Sequence, residues 1–116
     1  MLIEDGVPIA SPAEFEAWLA QHGQSERQCW AVIYKKTSER HSVTIAELIE
    51  SGLCWGWVDH QTKRIDDERY GIRFVPRRSG SNWSARNREI ACRLIADGRM
   101  QPAGKASLPS DFACPD

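Results

Sequence analysis

Apolar residues recur at helical spacing in three stretches of the chain, and each stretch follows a Ser or Thr residue. The side-chain oxygens of Ser and Thr accept backbone N–H groups of a first helical turn, so these residues favour the N-cap position. In two of the stretches a Glu follows three residues later, which completes a capping box. The pattern therefore predicts three helices, which run from Ser11 to Gly23, from Thr44 to about Leu53 or Cys54, and from Ser84 to Gly98.

Three further stretches have the residue types or the two-residue period of β-strands. Residues 28–36 are rich in aromatic and β-branched residues, with apolar side chains on both faces at the start, which is typical of a central strand. A second strand begins at Trp57, and residues 59–68 are expected to form a polar loop. Residues 70–75 alternate between apolar and polar, and Pro76 is expected to end their pairing.

The predicted order of elements is α-β-α-β-β-α, which indicates an α+β fold with a small antiparallel sheet packed by three helices. With 116 residues, of which 41% are apolar, the chain has the size and composition of one domain. We expect residues 1–104 to form that domain. Residues 105–116 show no periodicity and are predicted to form a loose tail.

Composition also bears on location and cofactors. No stretch reaches the roughly 18 consecutive apolar residues of a membrane span. The first ten residues contain two acidic residues and no basic residue, unlike a secretory signal. The cysteines form no C-x-x-C pair, as a structural zinc site would require. We therefore expect a cytoplasmic protein with no metal and no cofactor, and with four reduced thiols, at Cys29, Cys54, Cys92 and Cys114.

The net charge of −1 conceals an asymmetry along the chain. Residues 1–62 carry four Lys or Arg and nine acidic residues, a balance of −5, whereas residues 63–99 carry ten and five, a balance of +5. The simplest interpretation is that the basic segment folds against the acidic segment of the same chain, or of a second copy in a homo-oligomer. A net charge near zero does not favour nucleic acid as the partner, although it leaves that partner open.

The basic segment contains a candidate anion site. Arg73 and Arg77 share one face of a predicted strand, and the chain then turns into the third predicted helix. Guanidinium groups grip oxygen atoms in a fork, and a helix N-terminus presents N–H groups to an anion. The alternative is that Ser84 only caps the helix and Trp83 packs. The candidate residues are Arg73, Arg77, Arg78, Ser81, Trp83, Ser84 and Asn87, with Lys36 and Asp59 nearby.

Several motifs together point to a family. They are F-x-x-W-L from Phe15, G-L-C-W-G-W-V-D from Gly52, R-F-V-P-R-R from Arg73, S-N-W-S-x-x-N from Ser81 and L-I-x-x-G-x-M-x-x-A-G from Leu94. Over about residues 12–104 the sequence resembles the bacterial YdeI/OmpD-associated (bacteriocin-protection) family. The resemblance implies a role in protection against bacteriocins or cationic antimicrobial peptides, or in stress responses, without an established reaction. The sequence departs from the family at His60, where Gly is usual, and in lacking the usual C-terminal Lys/Arg-rich helical segment.

Three functions remain open on these residues. The leading hypothesis is a non-enzymatic domain that binds an anionic partner, which could be a nucleotide, a nucleic-acid phosphate or an acidic protein surface. The second is an enzyme that uses Asp59 or His60, with the arginines as a clamp on a negatively charged group. The third is a protein-interaction module that presents Trp55 and Trp57 at its surface.

Overall fold

Four strands and four helices make up the described part of the chain, residues 6–78 and 83–114 of the computed structural model. The α+β class predicted from the sequence is confirmed, and the six predicted elements occur in the predicted order. None of the described helices is long and apolar enough to cross a membrane. In chain order the elements are β1 (Gly6–Pro8), α1 (Pro12–His22), β2 (Cys29–Tyr34), α2 (Ile45–Cys54), β3 (Trp57–Arg64), β4 (Arg69–Pro76), α3 (Ala85–Ala96) and α4 (Pro102–Ala106).

The strands form one mixed sheet in the order β1-β2-β4-β3. β1 runs parallel to β2, and the other two pairs are antiparallel. Side chains alternate across the sheet, so that Cys29, Ala31 and Ile33 of β2 are buried on one face. This face packs against α1 and α2 in a core cluster that includes Phe15 and Leu48. The core therefore lies between two helices and one side of the sheet.

We call the opposite side of the sheet the open face. It carries Trp30, Val32 and Tyr34 of β2 and, on the paired strand, Arg73 and Val75 of β4. These side chains are only half-buried. In the described residues, none of the three from β2 belongs to a core cluster. The sheet thus has one face covered by helices and another whose aromatic and basic side chains reach the surface.

The polar loop predicted over residues 59–68 is largely a strand. β3 continues to Arg64 and pairs with β4 before the turn at residues 65–68. As an edge strand it exposes most of its side chains, so its sequence lacks the apolar alternation that predicts a strand. The three predicted strands pair antiparallel, as expected, but the sheet has a further strand that was not predicted. β1, which is parallel to β2, has only three residues, too few to show a period.

The segment predicted as a loose tail is attached to the domain. α4 runs across the predicted boundary and includes the first two residues of the segment, and the backbone N–H of Ser107 donates to the carbonyl of Gly104 at 3.1 Å. Asp111 forms an ion pair with Arg88 of α3, and the Phe112 ring lies 6.5 Å from that of Trp83. Because these contacts join distant residues, no periodic pattern within the segment could reveal them.

Two of the four cysteines form a disulfide, so the prediction of four reduced thiols is wrong. The bond joins Cys92 to Cys114, 22 residues apart. Cys29 and Cys54 are free and buried, as predicted. Burial raises the pKa of Cys29 to about 12 and that of Cys54 to about 11, so both remain protonated thiols in the core at neutral pH.

Candidate anion-binding site

The open face ends in a groove beside the last residues of β4. Because alternate residues of a strand share a face, Arg73 and Val75 project to this side, and Arg77 follows where pairing ends at Pro76. We call this feature the arginine groove. It has a volume of about 670 Å³ and is lined by Arg27, Val58, His60, Arg73, Val75, Pro76, Arg77 and Arg78.

A β-bulge in β3 accounts for the place of His60. Asp59 pairs with Phe74 and Gln61 pairs with Arg73, so His60 is the extra residue between them. A bulge re-aims the side chain of the residue that it leaves unpaired. His60 lines the arginine groove as a result, whereas Asp59 is exposed and is not among the described lining residues.

Arg73 is oriented by a side chain from the loop that precedes β2. Its Nε donates a hydrogen bond to the side-chain oxygen of Gln28 at 2.8 Å. β2 begins at Cys29, which pairs with Phe74, so the antiparallel register places this loop beside the end of β4. The same register brings Arg27 to the groove. Sequence reasoning missed Arg27, which could have been found by pairing the two strongest predicted strands in antiparallel register.

Arg77 connects the groove to the helical side of the domain. Its guanidinium carbon lies 3.9 Å from the centre of the Trp83 ring, close enough for a cation–π contact. Its backbone N–H donates to the carbonyl of Gly56 at 2.8 Å. Burial lowers the pKa of Arg77, and the negative charge of Asp59 acts in the opposite direction. An arginine side chain stays protonated in proteins, so Arg77 provides a fixed positive charge.

Ion pairs neutralise only part of the basic segment. Glu50 of the acidic segment pairs with both Arg93 and Arg99, which confirms that the two segments fold against each other. By contrast, no carboxylate oxygen in residues 6–78 and 83–114 lies within 4.0 Å of a nitrogen of Arg73 or Arg78. The arginine groove therefore keeps positive charge that the rest of the described chain does not pair.

One comparison with known proteins covers this whole region. The model of a domain family of unknown function, DUF8412, matches residues 7–107. The chain belongs to the DUF8412 family. No curated protein and no solved structure matches it. The matched residues include every lining residue of the arginine groove, so the groove is part of the DUF8412 domain itself.

The DUF8412 domain brings together only part of the site predicted from its sequence. Arg73, Arg77 and Arg78 line one groove, and Trp83 lies behind Arg77. Asp59 is close enough to influence the pKa of Arg77, so it places one negative charge beside the groove. The three arginines and Trp83 form the assembled part of the predicted site.

The residues predicted around the start of α3 have a structural use. Ser84 is the N-cap, and its hydroxyl oxygen accepts the backbone N–H of Asn87 at 3.1 Å. Trp83 packs against a small cluster between α2 and α3 that contains Leu94. Ser84 therefore caps the helix and Trp83 packs, as the alternative interpretation expected, and a ligand contact by either residue stays a prediction. Ser81 lies outside the described residues.

Lys36 lies at the other end of the sheet. β2 ends at Tyr34, which pairs with Arg69 at the start of β4. Arg77 is eight residues further along the chain, which corresponds to about 26 Å of extended strand. The expectation that Lys36 lies near the arginines is not met, because antiparallel pairing directs the end of β2 away from the end of β4.

The tryptophan pair proposed as an interaction surface is not exposed as a pair. Trp57 is 2% exposed and belongs to the main core cluster. Trp55 caps the end of α2 rather than continuing a strand, and its Nε1 donates to a carboxylate oxygen of Glu16 at 3.3 Å. The two rings therefore do not share an accessible strand face.

Acid–base or metal chemistry has little support in the geometry of the DUF8412 domain. The enzyme hypothesis needs Asp59 or His60 to work together with the arginines, and of these two only His60 lines the groove. Within the described ranges, no group of three His, Cys, Asp or Glu side chains could hold a metal ion. What the described groove offers is a set of positive hydrogen-bond donors beside apolar walls.

Proposed function

We propose that the DUF8412 domain is a non-enzymatic binding domain that holds an anionic, phosphate-bearing ligand in the arginine groove. The observation that supports the proposal is the convergence of Arg73, Arg77 and Arg78 on one groove. Two of these, Arg73 and Arg78, have no carboxylate partner in the described residues.

Arginine chemistry suits phosphate oxygens as the ligand. The planar guanidinium group presents several N–H donors in a fork that matches two oxygens of a phosphate or carboxylate. The bond from Arg73 to Gln28 fixes one guanidinium before a ligand arrives, which lowers the entropy that binding must overcome.

Calorimetric titration with sodium tripolyphosphate tests the proposal, because this anion carries several phosphates and no base. We expect binding that weakens as salt is raised. Arg73→Ala and Arg78→Ala are each expected to weaken it about tenfold, since a hydrogen bond to a charged group contributes about 1.5 kcal/mol. Lys36→Ala is the matched control, because it removes one positive charge at the far end of the sheet. No binding at low salt, or an equal loss in Lys36→Ala, would contradict the proposal.

The cellular role that we propose follows from the sequence resemblance to the YdeI/OmpD-associated family. It is protection of a bacterium against bacteriocins or cationic antimicrobial peptides, with the domain acting in the cytoplasm. The Cys92–Cys114 disulfide counts against that location, because disulfides persist in oxidising compartments. Cell fractionation decides the location. Growth of a deletion strain in protamine, complemented by the wild type or by Arg73→Ala, tests the role.

A further inference from the structure

The arginine groove continues into an aromatic row on the open face. Arg73 of the groove pairs directly with Trp30 of β2, and β2 carries Val32 and Tyr34 on the same face. Successive residues of this row are about 6.6 Å apart, because side chains on one face of a strand repeat every second residue. The open face therefore presents a cationic groove at one end and two aromatic rings beyond it.

Each of the two aromatic rings is accompanied by a cation. The Nζ of Lys63 lies 5.6 Å from the centre of the Trp30 ring, and the guanidinium carbon of Arg40 lies 5.9 Å from that of Tyr34. Lys63 belongs to β3, two strands away from Trp30, with β4 between them. It can reach across because its partner on β4 is Gly71, which has no side chain. The ring of Trp30 is only half-buried, and Lys63 lies against it.

A second groove lies at the Tyr34 end of this row. It has a volume of about 280 Å³, and Val32, Tyr34 and Arg40 are among the residues that line it. One carboxylate, that of Glu14, also lines it. The aromatic row therefore lies between a basic groove at the Arg73 end and a mixed groove at the other end, and we call the row and the two grooves together the track.

We propose that this track binds single-stranded nucleic acid, with phosphates in the arginine groove and a base stacked on Trp30. This inference rests on the proposed function and names its ligand class. Nucleic acid combines phosphates with flat rings, and proteins that bind single strands combine a basic groove with aromatic stacking platforms. An acidic polypeptide would satisfy the arginines but not Trp30. A duplex keeps its bases stacked inside and could not use the ring.

Fluorescence anisotropy with a labelled oligo(dT) about ten nucleotides long tests the track. We expect Trp30→Ala to weaken binding about tenfold, because the stacking of one base on an aromatic side chain contributes about fivefold to 150-fold in affinity. Trp30→Phe is expected to recover most of the affinity, since it keeps a ring. Lys105→Ala is the control for the loss of a positive charge outside the track. Lys105 lies on α4, which packs on α2 on the helical side of the sheet. The logarithm of affinity should fall with the logarithm of salt at a slope of about −2 for three neutralised phosphates.

The outcomes separate this inference from the proposed function. If Trp30→Ala binds oligo(dT) as tightly as the wild type, or if a duplex or polyglutamate binds more tightly than oligo(dT), the track is refuted. Tripolyphosphate binding that needs Arg73 and Arg78 would still support the anion site in that case. If neither tripolyphosphate nor oligo(dT) binds at low salt, both proposals fail. The track is supported if Trp30→Ala binds oligo(dT) more weakly than the wild type but binds tripolyphosphate equally well.

Discussion

Arg77 and Trp83 are stacked, with the guanidinium carbon 3.9 Å from the ring centre, and this contact joins the end of β4 to the start of α3. Trp83 in turn packs against the cluster that contains Leu53 and Leu94. The position of a groove arginine is therefore coupled to the packing of α3 on α2. A change at Trp83 should consequently alter the affinity for the ligand as well as the stability of the domain.

Replacing Trp83 by Leu keeps an apolar side chain but removes the ring under Arg77. We expect tripolyphosphate binding to weaken between about twofold and thirtyfold, which corresponds to the 0.5–2 kcal/mol of a cation–π contact. Trp83→Phe retains a ring and should lose less affinity than Trp83→Leu. Calorimetry measures the affinity, and urea unfolding of the same variants measures the accompanying loss of stability. Equal affinities in Trp83→Leu and the wild type would show that the stacking does not position Arg77.

Gly104 marks the close approach of α4 to the end of α2. A Cβ atom at this position would overlap the carbonyl oxygen of Cys54. We expect Gly104→Ala to lower the free energy of unfolding by about 2–3 kcal/mol, in the range of overpacked cores. Urea unfolding gives this value. A neutral or stabilising effect would mean that α4 is not docked in this way.

Gly98 provides the matched control for this substitution. Its φ is +74°, but a Cβ there would meet no atom within 4 Å. Gly98→Ala should lower the free energy of unfolding by about 1–2 kcal/mol through backbone strain alone. Gly98→Asn should recover part of that loss, because Asn tolerates the left-handed region. Gly104→Asn should be no more stable than Gly104→Ala, because the Cβ of either residue would overlap the carbonyl oxygen of Cys54.

Three of the helices, α1 to α3, and two of the strands, β2 and β4, could be predicted because their signals are local. Ser11, Thr44 and Ser84 are N-caps as expected, since capping depends on residues within one turn. β3 could not be predicted in full, because an edge strand with an exposed face has no apolar period. The disulfide and the docking of α4 join residues that only the folded chain brings together.

The site shows the same division between local and long-range signals. The spacing of Arg73 and Arg77 predicted that they share one face, and the structure brings both to the groove although β4 ends at Pro76. Lys36 was misplaced and Arg27 was missed because both depend on the direction of β2 relative to β4. Antiparallel pairing puts the start of β2, not its end, beside the arginines.

The state of the cysteines can be measured directly. In the unreduced protein unfolded in guanidinium, we expect two reactive thiols per chain, from Cys29 and Cys54, and four after reduction. Reduction should lower the free energy of unfolding by about 3 kcal/mol, as expected for a closed loop of this length. Thiol titration and urea unfolding provide the two readings. Four thiols before reduction would show that Cys92 and Cys114 are not joined.

Asp66 should make the turn between β3 and β4 sensitive to acid. Its side chain accepts hydrogen bonds from the Arg69 side chain, at 2.8 and 2.9 Å, and from the backbone N–H groups of Glu68 and Arg69. The side-chain bonds with Arg69, followed by the backbone bonds, lower the pKa of Asp66 from 3.8 to about 2. Because the carboxyl is harder to protonate in the folded chain, its contribution to stability is complete above about pH 4. That contribution is lost as the pH falls towards 2.

Comparison of Asp66→Asn with Asp67→Asn isolates this effect. Asp67 is next in the chain and pairs with Arg64, but its side chain is 94% exposed, so a pair of this kind contributes little. We expect the wild type and Asp67→Asn to lose stability in parallel between pH 4 and pH 2. Asp66→Asn should be less stable at pH 6 and should show a smaller loss over that interval, since its amide does not titrate. Urea midpoints at pH 6, 4 and 2 provide the comparison, and parallel curves for all three proteins would rule out Asp66 as the acid-sensitive group.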